Sequence, residues 1–167
     1  FKSEIISQAF FWEPVIVLKK KNQWYKVKQF DSYESWCHEY YLCDIFKGFK
    51  LNKYNIPFIS GYTFKKISSL FAATLKNRFN SPLYIPFNAF VPICEKKSSI
   101  NYNYVLHPKN YLFRVKKNNF KKNNLKADLR QQIVDSCKMF LGVTYIWGGK
   151  SCFGIDCSGF VQIVINY

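Results

Sequence analysis

The apolar positions change their spacing along the chain. From residue 4 to 42 they come in short runs broken by polar turns. Val15-Ile16-Val17-Leu18 is a continuous apolar run of the kind a buried strand shows, and Lys19-Lys20-Lys21-Asn22 reads as a turn. Trp24-Tyr25-Lys26-Val27-Lys28 alternates with the two-residue period of a half-buried strand. Asp31-Ser32 marks another turn, and Ser35-Trp36-Cys37-His38 begins a further strand. Short strands with tight turns at this spacing predict a small all-β barrel over 1–44.

The middle is less regular. Pro57, Pro82, Pro86, Pro92 and Pro108 punctuate aromatic-rich runs such as Leu83-Tyr84-Ile85-Pro86-Phe87. Phe64, Ile67, Leu70, Phe71 and Leu75 fall at helical spacing and predict a helix from Thr63 to Lys76. Tyr102 to Val105 and Tyr111 to Val115 read as strands, so 45–117 is expected to be a second, mostly β domain. Residues 118–127, overlapping the Lys/Asn-rich stretch Lys116 to Lys126, read as a linker.

Residues 128–141 give the clearest helix. Leu129, Ile133, Val134, Cys137, Phe140 and Leu141 form one stripe, Asp128 is placed to cap the start with Gln131 three residues on, and Gly142 suits the stop. Thr144 to Trp147 is a short strand-like run. A second helix is expected after Cys157, with Phe160, Val161, Val164 and Ile165 toward a core. The expected fold class is α+β.

Composition narrows the picture. Apolar residues make up 49% of the 167, enough for a core, and no run of uncharged apolar residues reaches the roughly 18 that a membrane span needs. The chain opens on Phe1 with no basic-then-apolar leader, which reads as a fragment or a processed start. The cysteines at 37, 43, 94, 137, 152 and 157 include no C-x-x-C pair, and His38 and His107 are not at ligand spacing. Neither a metal nor another cofactor is expected, and five of the cysteines read as small apolar residues. The net charge of +15 lies wholly in 45–126, where sixteen Lys/Arg face one acid, Glu95. That surplus would attract polyanions weakly and in a salt-sensitive way, without specific nucleic-acid recognition. The plainer reading is compositional drift, a codon bias toward Lys, Asn, Ile, Tyr and Phe.

One constellation carries chemistry. Tyr145-Ile146-Trp147-Gly148-Gly149 leads into Gly154-Ile155-Asp156-Cys157-Ser158-Gly159-Phe160-Val161. Asp156 is a good N-cap, which puts Cys157 at the first helical position. A thiolate is the working nucleophile, and a helix N-terminus stabilises such an anion. Backbone N–H groups there can also hold a developing oxyanion, and the flanking glycines allow a tight turn. This is what thiol acyl transfer requires. A lone Cys at a helix start is more often structural.

Tyr-x-Trp-Gly-Gly, a short spacer and Asp-Cys-Ser-Gly-Phe-Val-Gln resemble the signature of the NlpC family of cell-wall cysteine peptidases, with Thr144 where that family often has Pro. Ser3 to Gln8, Glu13, Trp24 to Val27, Tyr33 and Trp36 resemble a bacterial SH3-like domain whose usual first strand would precede Phe1. The resemblance implies SH3-like barrels followed by the first half, 128–167, of a papain-like α/β peptidase domain. It implies Cys157 as nucleophile, Tyr145 beside it and helping the oxyanion, and Asp156 and Ser158 lining the substrate cleft. The implied substrates are muropeptides or peptidoglycan stem peptides, cut at a γ-D-glutamyl-diamino acid bond. The compartment stays open between cell envelope and cytoplasmic recycling. Tyr33 and Glu4 are candidates for binding the substrate amine.

The same resemblance puts the catalytic His tens of residues beyond the Cys, whereas ten residues follow Cys157 here and none is His. His38 reads as barrel surface and His107 as a turn residue, so these 167 residues are expected to be inactive. Two other readings stay open: a non-catalytic SH3-like module binding wall polymer or another polyanion, and a decayed gene product.

Overall fold

The computed structural model describes residues 4–44, 48–52, 57–69, 71–73, 83–120 and 128–165. It is an α+β chain in which most strands precede the first α-helix.

The first unit is an antiparallel meander of β1 (Ile16–Lys21), β2 (Trp24–Lys28) and β3 (Glu34–His38). The expected strands are present, but the turn is narrower than the lysine run suggested. Lys19 to Lys21 pair with Trp24 to Lys26, and the chain reverses at Asn22-Gln23, where Asn22 takes φ 53°. The expected burial of 15–18 is overturned: Ile16, Val17 and Leu18 are 64, 54 and 46% exposed. β1 is an edge strand, and among the described residues no element covers its apolar side chains. Of the residues in these three strands, only Val27 is fully buried.

The second unit holds most of the core. β6 (Thr63–Lys66), β9 (Phe90–Ile93), β10 (Tyr102–His107) and β11 (Tyr111–Lys116) form an antiparallel sheet in the order β11-β10-β9-β6. Two short hairpins flank it, β4 (Lys50–Leu51) with β5 (Pro57–Phe58) and β7 (Phe71–Ala73) with β8 (Tyr84–Pro86). Ile67, Ile85, Val91, Ile93, Val105, Phe113 and Val115 meet in one cluster. Each such side chain, once buried, contributes about 1.5–3 kcal/mol.

The helix expected over 63–76 is not formed. Thr63–Lys66 and Phe71–Ala73 are strands, and Leu70 and Leu75 lie outside the described residues. The helical spacing of Phe64, Ile67 and Phe71 is a coincidence of two short strands, and pairing with β9 and β8 decides their conformation. The linker expected over 118–127 also needs correction at its start. Phe120 is buried in the second core and bridges Ile67, so the apolar ring has a place that its polar neighbours disguise. Residues 121–127 lie outside the described residues.

α1 (Leu129–Met139) starts where its cap predicted: an Asp128 carboxylate oxygen accepts from the Arg130 N–H at 3.0 Å. Gln131 does not complete a capping box, because its amide donates to Asp135 instead. Gly142 takes φ +83° just past the end. α2 (Cys157–Ile165) lies beside the end of α1, where Phe140 past that end, Phe87 from the turn after β8, and Ile163 meet in one cluster with Phe160 against it. Its buried residues are Gly159, Ile163 and Val164, while Val161 and Ile165, expected inside, are 52 and 70% exposed. Between the helices stand β12 (Lys150–Ser151) and β13 (Gly154–Ile155). The run 144–147 is no strand and makes a single bridge, Tyr145 to Ile155. Among the described residues no helix is long and apolar enough to cross a membrane.

The units are stitched together by residues 5–13. Phe10 packs against both cores, Phe11 and Trp12 cover the second-unit core, and the Trp12 indole N–H donates to the Leu106 carbonyl at 2.6 Å. From the other side, the Asn88 amide donates to the Ile163 carbonyl at 3.2 Å.

His107 ends β10. Its ring stacks on Tyr111 and its Nδ1 accepts from the Lys109 N–H at 3.0 Å. Burial, and then the Lys109 charge, lower its pKa to about 4. Between the unfolded value of 6.5 and this value the unfolded chain takes up the proton first. The stability from neutral His107 is therefore full above pH 6.5 and lost as pH falls toward 4. With a half-exposed ring the loss should be about 1 kcal/mol. Thermal midpoints measured across pH 6.5 to 4 should fall more steeply for the native chain than for His107→Asn; equal slopes would refute the assignment.

Candidate active site

Cys157 is the first residue of α2, and Asp156 caps it. The Asp156 carboxylate gathers three donors: the Gly159 N–H at 2.6 Å, the Ser158 hydroxyl at 2.8 Å and the Gly148 N–H at 3.0 Å. Burial alone would raise this carboxyl, but the donors, led by Gly159, outweigh it and hold the pKa below its ordinary value. Asp156 therefore stays an anion near neutral pH and ties the helix start to the Gly148-Gly149 turn. Its own N–H donates to the Gly149 carbonyl at 3.0 Å.

Three glycines make this turn possible. Gly148 takes φ +72°, and a Cβ there would sit 2.5 Å from the Ile5 carbonyl oxygen. A Cβ on Gly149 would lie 2.5 Å from the Gly154 oxygen. A Cβ on Gly159 would collide with the Gly149 carbonyl. The Tyr-x-Trp-Gly-Gly and Asp-Cys-Ser-Gly pieces are thus one packed object, in which backbone touches backbone.

The thiol of Cys157 is exposed, more so than half-buried Cys137. All six cysteines are free. Cys43 is also exposed. Ser158 is exposed beside the thiol with its hydroxyl on Asp156. Tyr145 is 60% exposed and bridges Ile155, two residues before Cys157, which puts its backbone about one strand spacing from that turn. Glu4 is exposed and precedes Ile5, whose carbonyl abuts Gly148. Tyr33 is 37% exposed, and its N–H donates to Asp31.

The histidines have other work. Nδ1 of His38 accepts from the Tyr40 N–H at 3.2 Å, and its ring meets Trp24 edge-on. His107 is held in the β10–β11 hairpin as described. Among the described residues no group of three His, Cys, Asp or Glu could hold a metal ion.

Sequence reasoning missed Lys150, which ends the glycine turn. Its ammonium lies 2.8 Å from Asp31 and 5.3 Å from the Phe10 ring centre, with only 9% of its side chain exposed. Its N–H donates to the Gln8 side chain at 2.9 Å. Glu13, half-buried nearby, has its pKa raised by desolvation despite a hydrogen bond from the Phe10 N–H and the Lys150 charge. Nothing local marks Lys150; only its place directly after two glycines hinted that it is held. A cavity of about 480 Å³ opens beside it, walled by Phe10, Glu13, Asp31, Asn88, Lys150 and Ile163, and Cys157 does not line it.

The site is that of a thiol presented on a capped helix start in an α+β chain whose front is a small sheet. Residues 1–42 match the family model of the bacterial SH3 domain. Over 97% of its length the chain is 27% identical to a gamma-D-glutamyl-L-lysine dipeptidyl-peptidase of Bacillus cereus, and it covers 50% of that protein. A Bacillus subtilis protein of the same name is 44% identical over 36 residues, 22% of this chain and 12% of that protein. A crystal structure of an NlpC/P60 family protein from Bacillus cereus shares the fold, with a TM-score of 0.75 and 24% identity over 96% of this chain and 54% of that one. The resemblance read from the motif therefore holds for sequence and for fold. The chain spans about half the length of the Bacillus cereus relative it matches throughout.

Proposed function

We propose that the chain supplies the nucleophile half of a cysteine peptidase that hydrolyses the γ-D-glutamyl-diamino acid bond of peptidoglycan stem peptides. The observation that carries this reading is the exposed Cys157 at the first turn of α2, behind a charged Asp156 cap. The activity named for the two Bacillus relatives supplies the substrate class. In this reading Cys157 attacks the carbonyl carbon, and N–H groups at the helix start, with Tyr145, meet the oxyanion. Asp156 and Ser158 line the cleft, and the units at 1–44 and 45–117 stand ahead of the peptidase part at 128–167.

The thiol also needs a base within hydrogen-bond reach, about 2.6–3.2 Å. His38 and His107 already serve turns elsewhere in the fold. These 167 residues by themselves should therefore turn over no substrate. A chimera in which residues 1–167 continue into the C-terminal remainder of the Bacillus cereus relative should hydrolyse a γ-D-glutamyl-L-lysine peptide. A folded but inactive chimera would sink the reading, and turnover by the 167 residues alone would sink its account of the base.

The exposed lysines Lys96, Lys97, Lys109, Lys116 and Lys117 belong to the basic middle. If they hold an anionic wall polymer, log affinity should fall linearly with log salt, and binding that ignores salt would assign the surplus to composition alone.

A further inference from the structure

We propose that Lys150 is a positioning residue: its ion pair with Asp31 clamps the Gly148-Gly149 turn between the first sheet and the start of α2, and so sets the reactivity of the Cys157 thiol. The proposal deepens the peptidase reading, from which it takes only the idea that the thiol has a reaction to serve.

The geometry runs in one line. Asp31 sits in the turn between β2 and β3 and meets the Lys150 ammonium at 2.8 Å, with 16 and 9% of the two side chains exposed. The Lys150 stem then passes under α2, where its Cγ is the nearest side-chain atom that a Cβ on Gly159 would meet, at 2.9 Å. Its backbone N–H is held by Gln8, and the preceding carbonyl, of Gly149, accepts from the Asp156 N–H. Lys150 therefore touches, within one residue, the anion of the first unit, the N-terminal segment and the capped end that carries the nucleophile.

The pair is too well covered to be a surface ornament. Removing one partner of such a pair leaves a poorly solvated charge, so the turn must shift to let water in. That shift acts on the three donors converging on Asp156, and so on the N–H groups that favour a thiolate at the helix start. Glu13 and Phe10 face the same ammonium, and neither can replace Asp31 without moving: Glu13 is engaged by the Phe10 N–H and Phe10 offers only its ring.

The test uses the 167-residue protein itself. Iodoacetamide alkylation of Cys157 is followed by mass spectrometry of its peptide, from pH 6 to 10, well below each variant's thermal midpoint. Lys150→Met and Asp31→Asn should each slow alkylation at neutral pH by roughly three- to tenfold, the effect of a loosened helix start on an anion. Both should move the pH profile upward. The double variant should be no slower than either single one, and Lys150→Arg should restore most of the rate. Lower thermal midpoints with an unchanged alkylation profile would overturn the proposal by making the pair merely structural. If Lys150→Met does not fold, Asp31→Asn decides, because it leaves the stem against Gly159 in place. An inactive chimera with the alkylation pattern intact would remove the peptidase reading and leave the clamp standing.

Discussion

Cys157→Ala in the chimera is expected to lower kcat by at least about 10,000-fold while leaving the thermal midpoint within a degree or two, because no water or neighbouring hydroxyl replaces a thiolate that forms a covalent acyl intermediate. Three things make the prediction sharp. The side chain is exposed, so its loss opens no cavity in the Phe87, Phe140, Ile155 and Ile163 cluster. The cap on Asp156 uses the Gly159 N–H and the Ser158 hydroxyl, neither of which the substitution touches. Alanine is also a better helix former than cysteine. Residual turnover above a thousandth of the parent rate would show that another group acts as nucleophile. Ser158→Ala provides the contrast, since it should reduce activity without abolishing it.

Gly159→Ala is expected to produce the largest loss of stability, about 3 kcal/mol. Helix propensity alone predicts the opposite, a gain of about 1 kcal/mol for Ala over Gly inside a helix. Sterics win here because the new methyl would collide with the Gly149 carbonyl, which cannot retreat without breaking its hydrogen bond to the Asp156 N–H. The Lys150 stem closes the other side. A thermal or urea midpoint unchanged or raised in Gly159→Ala would show that the helix and turn separate easily, and the packed account of the motif would fall with it.

What could be read from the chain beforehand divides by the range of the forces involved. Both helices were legible because their signals are local: Asp128 and Gly142 bound one, and Asp156 starts the other. The strands 24–28, 102–107 and 111–116 were legible because adjacent hairpin partners impose the two-residue period. Thr63 to Lys76 was not, since Phe64, Ile67 and Phe71 satisfy a helical template by accident and only pairing with distant β9 and β8 excludes it. The apolar run Ile16 to Leu18 was misread for a related reason: apolarity predicts burial only if something packs on top. At the site, Cys157, Asp156 and Ser158 could be named from the motif. Lys150 could not, because its partners Gln8 and Asp31 belong to remote parts of the sequence. Phe120 escaped because one ring among lysines and asparagines does not look like core.

The threading of residues 5–13 beneath the later parts of the chain also bears on the order in which the protein is made. Gln8 and Lys150 are 142 positions apart, and Asp31 and Lys150 are 119 apart. Closing loops of that length is entropically slow, and pairings of high contact order form late. During synthesis the Phe10-Phe11-Trp12 segment leaves the ribosome with its eventual partners still unmade, whereas the hairpins of the second unit close within a few residues of themselves. The meander and the four-stranded sheet can therefore assemble early, with the opening segment waiting at their surface. The turn that presents Cys157 is completed only when residues 5–13 meet residues 148–159, so the thiol is set in place later than the hairpins of the second unit.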